Sequence, residues 1–167
     1  PAEAAQVIEY ENGTVRFTHP LLSSVLYADL GGKRRTIHRR IAGIVDDPVA
    51  RARHLALSTT EADEAVAGEL ERAAARAAGR GAQQAASELF AGACRLTPGG
   101  LTEELARREL GQASALRALG DLEGSRALAE NAAERASGQL RARALMLLGD
   151  TAWIGAYPGA MEHLEQA

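Results

Sequence analysis

Residues 14–45 read TVRFTHPLLSSVLYADLGGKRRTIHRRIAGIV, and this stretch carries the clearest local structure signals of the chain. It opens with an alternating run, Thr14 to Thr18, which is typical of a strand. Pro20 follows, and proline favours the first turn of a helix because no N–H is needed there and its φ is already helical. Apolar residues then recur at the spacing of one buried helical face, namely Leu21, Leu22, Val25, Leu26 and Leu30. The pattern predicts a strand that leads into a helix.

A second helix is predicted after Gly31-Gly32, from Lys33 to Val45. The residues expected to face inward are Ile37, Ile41, Ile44 and Val45. The residues expected to face outward are Arg34, Arg35, Arg39 and Arg40. Upstream, Gln6–Tyr10 alternates weakly, and Asn12-Gly13 between two alternating runs is a strong hairpin signal. The prediction is a strand pair that feeds two crossed helices, like the end of a winged-helix unit.

Composition favours helices and gives no general attraction to polyanions. Hydrophobic residues make up 46% of the chain but aromatic residues only 4%, so packing depends on Ala and Leu, which favour helix. The net charge of −3 disfavours nonspecific binding to nucleic acid or to anionic membranes. No apolar run approaches the roughly 20 residues of a membrane-spanning helix, so no membrane partner is expected. With Cys94 as the single cysteine, a reducing cytoplasm is the expected location.

Three similar blocks follow one another in the second half of the sequence. They start at Gly81, Gly120 and Gly155, at intervals of 39 and 35 residues. Each block is preceded by a longer amphipathic segment, and these segments span 61–79, 102–119 and 139–154. Thr60, at the end of Ser58-Thr59-Thr60, is the expected N-cap of the first of them. Helix–turn–helix units with a period near 34 are typical of tetratricopeptide-like arrays. We therefore predict a mainly α protein with a winged-helix remnant and short β-hairpin in 1–47 and a tetratricopeptide-like α-solenoid in 48–167.

The chain also resembles a known family. It looks like the middle of large ATP-binding LuxR-type transcriptional regulators of the STAND class. The segments that carry this resemblance are FTHPLL (Phe17–Leu22), then KRRTIHRRIA and ARHLAL, and then Ala/Arg-rich helical repeats. The resemblance implies a nucleotide-binding domain before this segment and a DNA-binding helix-turn-helix after it. No G-x-x-x-x-G-K-[ST] phosphate loop occurs here, so no cofactor is expected in the fragment itself. ATP or ADP would bind the full-length protein, and DNA would be contacted only through the missing C-terminal domain.

His19 is the sharpest candidate that the resemblance provides. In related STAND proteins a histidine of the winged helix contacts the β-phosphate of bound ADP, and the resemblance implies that role for His19 in the full-length protein. An imidazole at a helix N-terminus is chemically suited to a phosphate. The alternative is a histidine that caps the helix or bonds a neighbouring carbonyl.

Partner contacts are expected on the first helix of each helical pair, because these helices usually line the groove of such arrays. The candidates are Arg107, Arg108, Gln112, Arg141 and Asp150. The expected partners are other domains of the same chain and a protein or small-molecule inducer, with a homo-oligomer as a further alternative.

The remaining motifs favour structural roles. The basic run Lys33–Arg40 is interpreted as a solvated or interdomain face rather than a DNA patch. Cys94 is interpreted as a core residue, and no metal site or nucleophile motif is recognised, so no enzyme is expected. Trp153 and Tyr157 are interpreted as packing residues, or as a peptide anchor if exposed.

The leading functional hypothesis is a regulatory segment that relays inducer binding by the repeats to the nucleotide-binding module. The alternative is a tetratricopeptide-type adaptor with no nucleotide or DNA role. A third alternative keeps the STAND architecture but has a different output, such as a cyclase.

Overall fold

The computed structural model describes residues 7–11 and 14–156. Two strands, β1 (Ile8–Glu11) and β2 (Thr14–Phe17), come first. The next helices are α1 (Pro20–Asp29), α2 (Lys33–Ala42) and α3 (Pro48–Ser58). The others are α4 (Glu64–Gly79), α5 (Gln83–Leu96), α6 (Thr102–Ala118), α7 (Leu122–Arg135) and α8 (Gly138–Ala156). The described part of the chain is therefore mainly helical, with one small antiparallel sheet.

The predicted hairpin is confirmed. β1 and β2 pair in antiparallel register, with Ile8 opposite Phe17, and the N–H of Thr18 extends the ladder by donating to the carbonyl of Val7 at 3.2 Å. The predicted turn residues, Asn12-Gly13, lie outside the described residues. The strands are short, so the sheet depends on neighbouring elements for its stability.

Helix α1 begins at Pro20 as predicted, but its apolar face is not buried. Leu21 is 66% exposed, and Val25 and Leu26 are also exposed. The prediction of a buried face is wrong because α1 packs mainly on β2, and no other described element covers it extensively. Periodicity indicates which residues share a face, whereas burial depends on what lies against that face.

Helix α2 packs against α3 rather than extensively against α1. Its buried residues are His38 and Ala42, and it ends three residues earlier than predicted. Ile44 therefore lies beyond the helix and is 79% exposed, which corrects the inward position expected for it. Asp47 then caps α3, because its carboxylate accepts from the N–H of Ala50 at 2.7 Å.

Helices α4 to α8 pack mainly on their neighbours in sequence, most extensively as the pairs α4–α5 and α6–α7. Gly81 and Gly120 end α4 and α6 with φ of 78° and 86°, where a side chain would be strained. The N-cap of α4 is Asp63 rather than the predicted Thr60. Its carboxylate accepts from the N–H of Val66, and its own N–H donates to the carbonyl of Leu96 at 2.8 Å.

Two buried clusters hold these helices together. The first joins α4 and α5 through Leu70, Leu89 and alanines such as Ala74, with one residue each from α3 and α6. The second joins α6, α7 and α8, with Leu110 and several alanines at its centre. Small side chains let the helix axes approach closely. Within the residues described, none of the helices combines the length and hydropathy that crossing a membrane requires.

Candidate functional site

A groove of about 200 Å³ lies between α6 and α8. Helix α6 contributes Leu110 and Ser114, which are one turn apart. Helix α8 contributes four residues at the spacing of a single helical stripe, namely Arg143, Met146, Leu147 and Asp150. The groove is therefore formed by side chains that the helical period places opposite one another.

The groove has an apolar floor and charged sides. Leu110 and Leu147 are buried, whereas Met146 is 70% exposed at the surface. The hydroxyl of Ser114 donates to the carbonyl of Leu110 at 2.9 Å, so its proton is already used within α6. Among the described residues, Arg143 and Asp150 make no ion pair with other side chains. The site offers one cation, one anion and an adaptable apolar surface.

The apolar surface continues beyond the groove along α8. Trp153 lies seven residues after Met146, on the same helical stripe, and is 67% exposed. This exposure fits the interpretation of Trp153 as a peptide anchor better than its interpretation as a packing residue. Tyr157 lies outside the described residues. Leu145 and Ile154 are also exposed on this helix. Exposed Met and Trp side chains of this kind are enriched at protein interfaces.

The structure places one of the five predicted partner residues, Asp150, in this groove. Arg141 is exposed on α8 but lies on a different stripe, and Gln112 is partly buried on α6 without lining the groove. Sequence reasoning missed Met146 and Arg143. Their spacing of four and seven residues from Asp150 was the signal that could have identified them.

Arg108 lies in an ionic network instead of the groove. Its side chain is 1% exposed and makes four hydrogen bonds. Nη1 and Nη2 donate to the carboxylate of Glu64 at 2.8 and 2.6 Å, Nη1 also donates to the Thr97 hydroxyl at 2.7 Å, and Nε donates to Glu71 at 3.0 Å. The network ties α6 to α4, and a partner would reach Arg108 only if these helices separated.

Arg107 completes the network at the surface. It is about half exposed and donates from Nε and Nη2 to Glu71 at 2.6 and 3.1 Å. Burial raises the pKa of Glu71, but the bonds from Arg107 and Arg108 outweigh burial and hold that pKa below its usual range. The hydrogen bonds from Arg108 likewise lower the pKa of Glu64. Both carboxylates are therefore ionised at neutral pH.

A second ion pair joins α6 to α7. Nη1 of Arg135 donates to both carboxylate oxygens of Glu109 at 3.1 Å. Burial raises the pKa of Glu109, and Arg135 offsets that effect only in part. Glu109 thus differs from Glu64 and Glu71, because desolvation prevails over its partner.

His19 is exposed and serves as the N-cap of α1. Its Nδ1 accepts from the N–H of Leu21 at 3.2 Å. This is the capping role that the alternative interpretation describes, and it leaves Nε2 without a hydrogen bond among the described residues. A phosphate contact by His19 stays a prediction for the longer protein.

A row of three aromatic side chains links α1, α2 and α3. The hydroxyl of Tyr27 lies 2.8 Å from Nε2 of His38, and Nδ1 of His38 lies 2.8 Å from Nδ1 of His54. Only one proton fits between the two Nδ1 atoms. Burial lowers the pKa of His38, and the charges of His54 and Arg34 lower it further. The neutral form of His38 is therefore favoured in the fold.

Cys94 is partly buried and unpaired. Burial raises the pKa of its thiol to about 12, with a further contribution from Glu109, so the thiol stays protonated at neutral pH. In the part of the chain that the structure describes, no three His, Cys, Asp or Glu side chains are grouped as metal ligands would be.

No family model, curated protein or solved structure matches this chain.

Proposed function

We propose that this chain is the sensor segment of a cytoplasmic regulator, and that its helices α4 to α8 are a tetratricopeptide-like array that binds a protein partner. The groove between α6 and α8 receives an extended segment of that partner. Met146 and the buried Leu110 and Leu147 contact an apolar side chain of the segment, while Arg143 and Asp150 select charges on either side of it.

The observation that supports this proposal most strongly is the position of the groove. It lies between α6 and α8, which would be the first helices of successive units in a tetratricopeptide-like array, and such arrays present a concave binding surface. Its charged sides are free of ion pairs among the described residues, so a partner need not displace an internal contact there. A partly apolar groove with a few polar groups is the composition that peptide recognition uses.

The wider assignment to a LuxR-type STAND regulator is supported by the sequence resemblance alone. In that setting, partner binding to the array changes how the array packs on the preceding module, and that module then releases ADP. Such coupling requires a partner that prefers one of the two arrangements. Substitution of His19 by Gln in a longer protein that retains ADP tests this part, because unchanged ADP retention would remove the role of His19.

The groove is tested by selecting peptides from a displayed random library against the chain. We expect peptides with an apolar residue flanked by charges, bound with micromolar affinity. Met146→Asp should weaken binding at least about tenfold, because it places a charge where an apolar side chain must be desolvated. Leu119→Asp is the matched control, since Leu119 is an exposed leucine at the end of α6 outside the groove. Equal losses in both variants, or no enriched peptides, would refute the groove assignment.

A further inference from the structure

A cleft on α2 is separate from the groove described above. Two cavities of about 330 Å³ each share Arg35 in their linings, and together they are called the α2 cleft. The first is lined by Arg35, Thr36, Arg39 and Arg40 of α2, with Ser58 of α3. Arg35, Arg39 and Arg40 lie four residues and one residue apart along α2, and all three line this cavity.

The positive charge in the α2 cleft is uncompensated. No carboxylate lines either cavity, and among the described residues Arg35, Arg39 and Arg40 form no ion pair. Every ion pair within that part of the chain involves an arginine from Arg51 onward, such as Arg107 with Glu71. Like charges held this close repel one another unless an anion lies between them.

The donors in the first cavity suit an oxyanion. A guanidinium presents a planar fork of N–H groups that matches two oxygens of a phosphate, which a lysine ammonium does not do. The Thr36 hydroxyl has no hydrogen bond among the described residues and is able to donate as well. The Ser58 hydroxyl donates to the carbonyl of Leu55 at 3.0 Å, so it adds no donor.

The second cavity adds apolar surface next to these donors. It is lined by Tyr27 and Leu57, both exposed, and by Arg34, whose Cζ lies 5.3 Å from the centre of the Tyr27 ring. Arg35 borders both cavities and holds Thr60 at the rim through a hydrogen bond of 3.4 Å. A ligand that spans the α2 cleft therefore meets cations at one end and an aromatic and aliphatic surface at the other.

We propose that the α2 cleft binds a small organic phosphate monoester. The phosphate lies among Arg35, Arg39 and Arg40, and the organic group lies against Tyr27 and Leu57. Each cavity, at about 330 Å³, lies at the lower end of the usual range for small-molecule sites. Nucleic acid fits less well, because the three arginines span only about 8 Å of helix and the chain carries a net charge of −3.

Phenyl phosphate is a suitable probe because it combines both chemical features. We expect saturable amide shifts in α2 and α3 when the ¹⁵N-labelled chain is titrated with phenyl phosphate, and an affinity at least about fivefold above that of inorganic phosphate. Phenol should not bind at the same concentrations. Leu57→Ala should remove the advantage of phenyl phosphate and leave the affinity for inorganic phosphate unchanged.

The double variant Arg39→Gln/Arg40→Gln should weaken binding at least about tenfold, because it removes two charge-assisted forks. Arg80→Gln/Arg141→Gln changes the net charge equally at exposed positions elsewhere and should stay within about twofold. Circular dichroism shows whether each variant folds. If Arg39→Gln/Arg40→Gln does not fold, Leu57→Ala still tests whether the organic group binds in the α2 cleft.

Four outcomes would overturn the proposal. The first is the absence of saturable shifts at millimolar probe, and the second is an equal loss in both double variants. The third is tighter binding of a phosphoserine peptide than of phenyl phosphate, which would assign the cleft to a phosphorylated protein. The fourth is binding of duplex DNA at moderate salt that is lost in Arg39→Gln/Arg40→Gln, which would assign the cleft to nucleic acid.

Discussion

Arg108 on α6 and Glu64 on α4 form a bidentate ion pair, with N–O distances of 2.6 and 2.8 Å, although they lie 44 residues apart. The pair connects the first helices of two successive helical pairs. Glu71, two turns further along α4, accepts a third bond from the same guanidinium. The network thus fixes the position of α6 against α4, and through α6 it positions one wall of the groove.

Replacement of Arg108 by Met should be strongly destabilising. It leaves Glu64 without its ion-pair partner, while Glu71 keeps Arg107. Because Glu64 is 41% exposed, the cost should be about 2–3 kcal/mol, below the roughly 3–5 kcal/mol of a fully buried pair. Arg107→Met is the control, because Arg107 is half exposed and should cost at most about 1 kcal/mol. Urea unfolding of both variants at pH 7 measures the difference. Equal, small losses would show that the buried network does not hold α4 and α6 together.

Acid should destabilise the protein through Glu64 and Glu71. Their folded pKa values lie below the usual 4.5, so their contribution is present above pH 4.5 and is lost as the pH falls through the folded values. The contribution of Glu109 to the pH dependence of stability has the opposite sign, because its folded pKa is raised. Glu71→Gln should therefore flatten the fall in unfolding free energy below about pH 4.5, and Glu109→Gln should steepen the fall between pH 7 and about 4.5. Identical slopes in the two variants would contradict these assignments.

His38 should titrate below its usual pKa of 6.5 in the folded chain. Because the unfolded chain then binds more protons, stability should fall as the pH drops below about 6.5. His54→Gln removes one charge that opposes protonation of His38, so it should raise the pKa of His38. Burial should still hold that pKa below 6.5. Histidine ring signals in NMR titrations measure the change. His19→Gln is the control, and a His38 pKa that is the same in all three proteins would refute the coupling.

Two glycine substitutions should have opposite effects. A Cβ on Gly111 would lie 2.5 Å from Cζ of Phe90, so Gly111→Ala must displace a buried ring and should cost about 1–3 kcal/mol. A Cβ on Gly149 meets nothing within 4 Å, and alanine there should stabilise α8 by up to about 1 kcal/mol. Thermal unfolding compares the two variants. A stabilised Gly111→Ala variant would show that α5 and α6 are not in close contact there.

Local signals in the sequence predicted the hairpin and most helix boundaries. Pro20 starts α1, and Gly81 and Gly120 end α4 and α6, because backbone chemistry at these residues acts without tertiary help. The N-cap of α4 was assigned to Thr60 instead of Asp63. The N–H of Asp63 bonds to Leu96 at the end of the next helix, and that tertiary contact is not visible in local sequence.

Long-range pairing explains what sequence reasoning missed in the candidate site. The sequence placed Arg108 on the first helix of a pair, but its burial depends on Glu64 and Glu71, which lie 44 and 37 residues away. Asp150 was selected from the correct helix, whereas Met146 was missed because the stripe of α8 that faces α6 is set by packing. The exposure of Leu21 on α1 has the same origin, since no local pattern reports which element covers a helix face.

The most direct test of the proposed function is an NMR titration of the ¹⁵N-labelled chain with the tightest peptide from the library selection. We expect the largest amide shifts to cluster at 110–114 of α6 and 143–150 of α8, to disappear with Met146→Asp and to persist with Leu119→Asp. Shifts concentrated on α5 or α7, or unchanged by Met146→Asp, would contradict the assignment of the α6–α8 groove as the partner-binding surface.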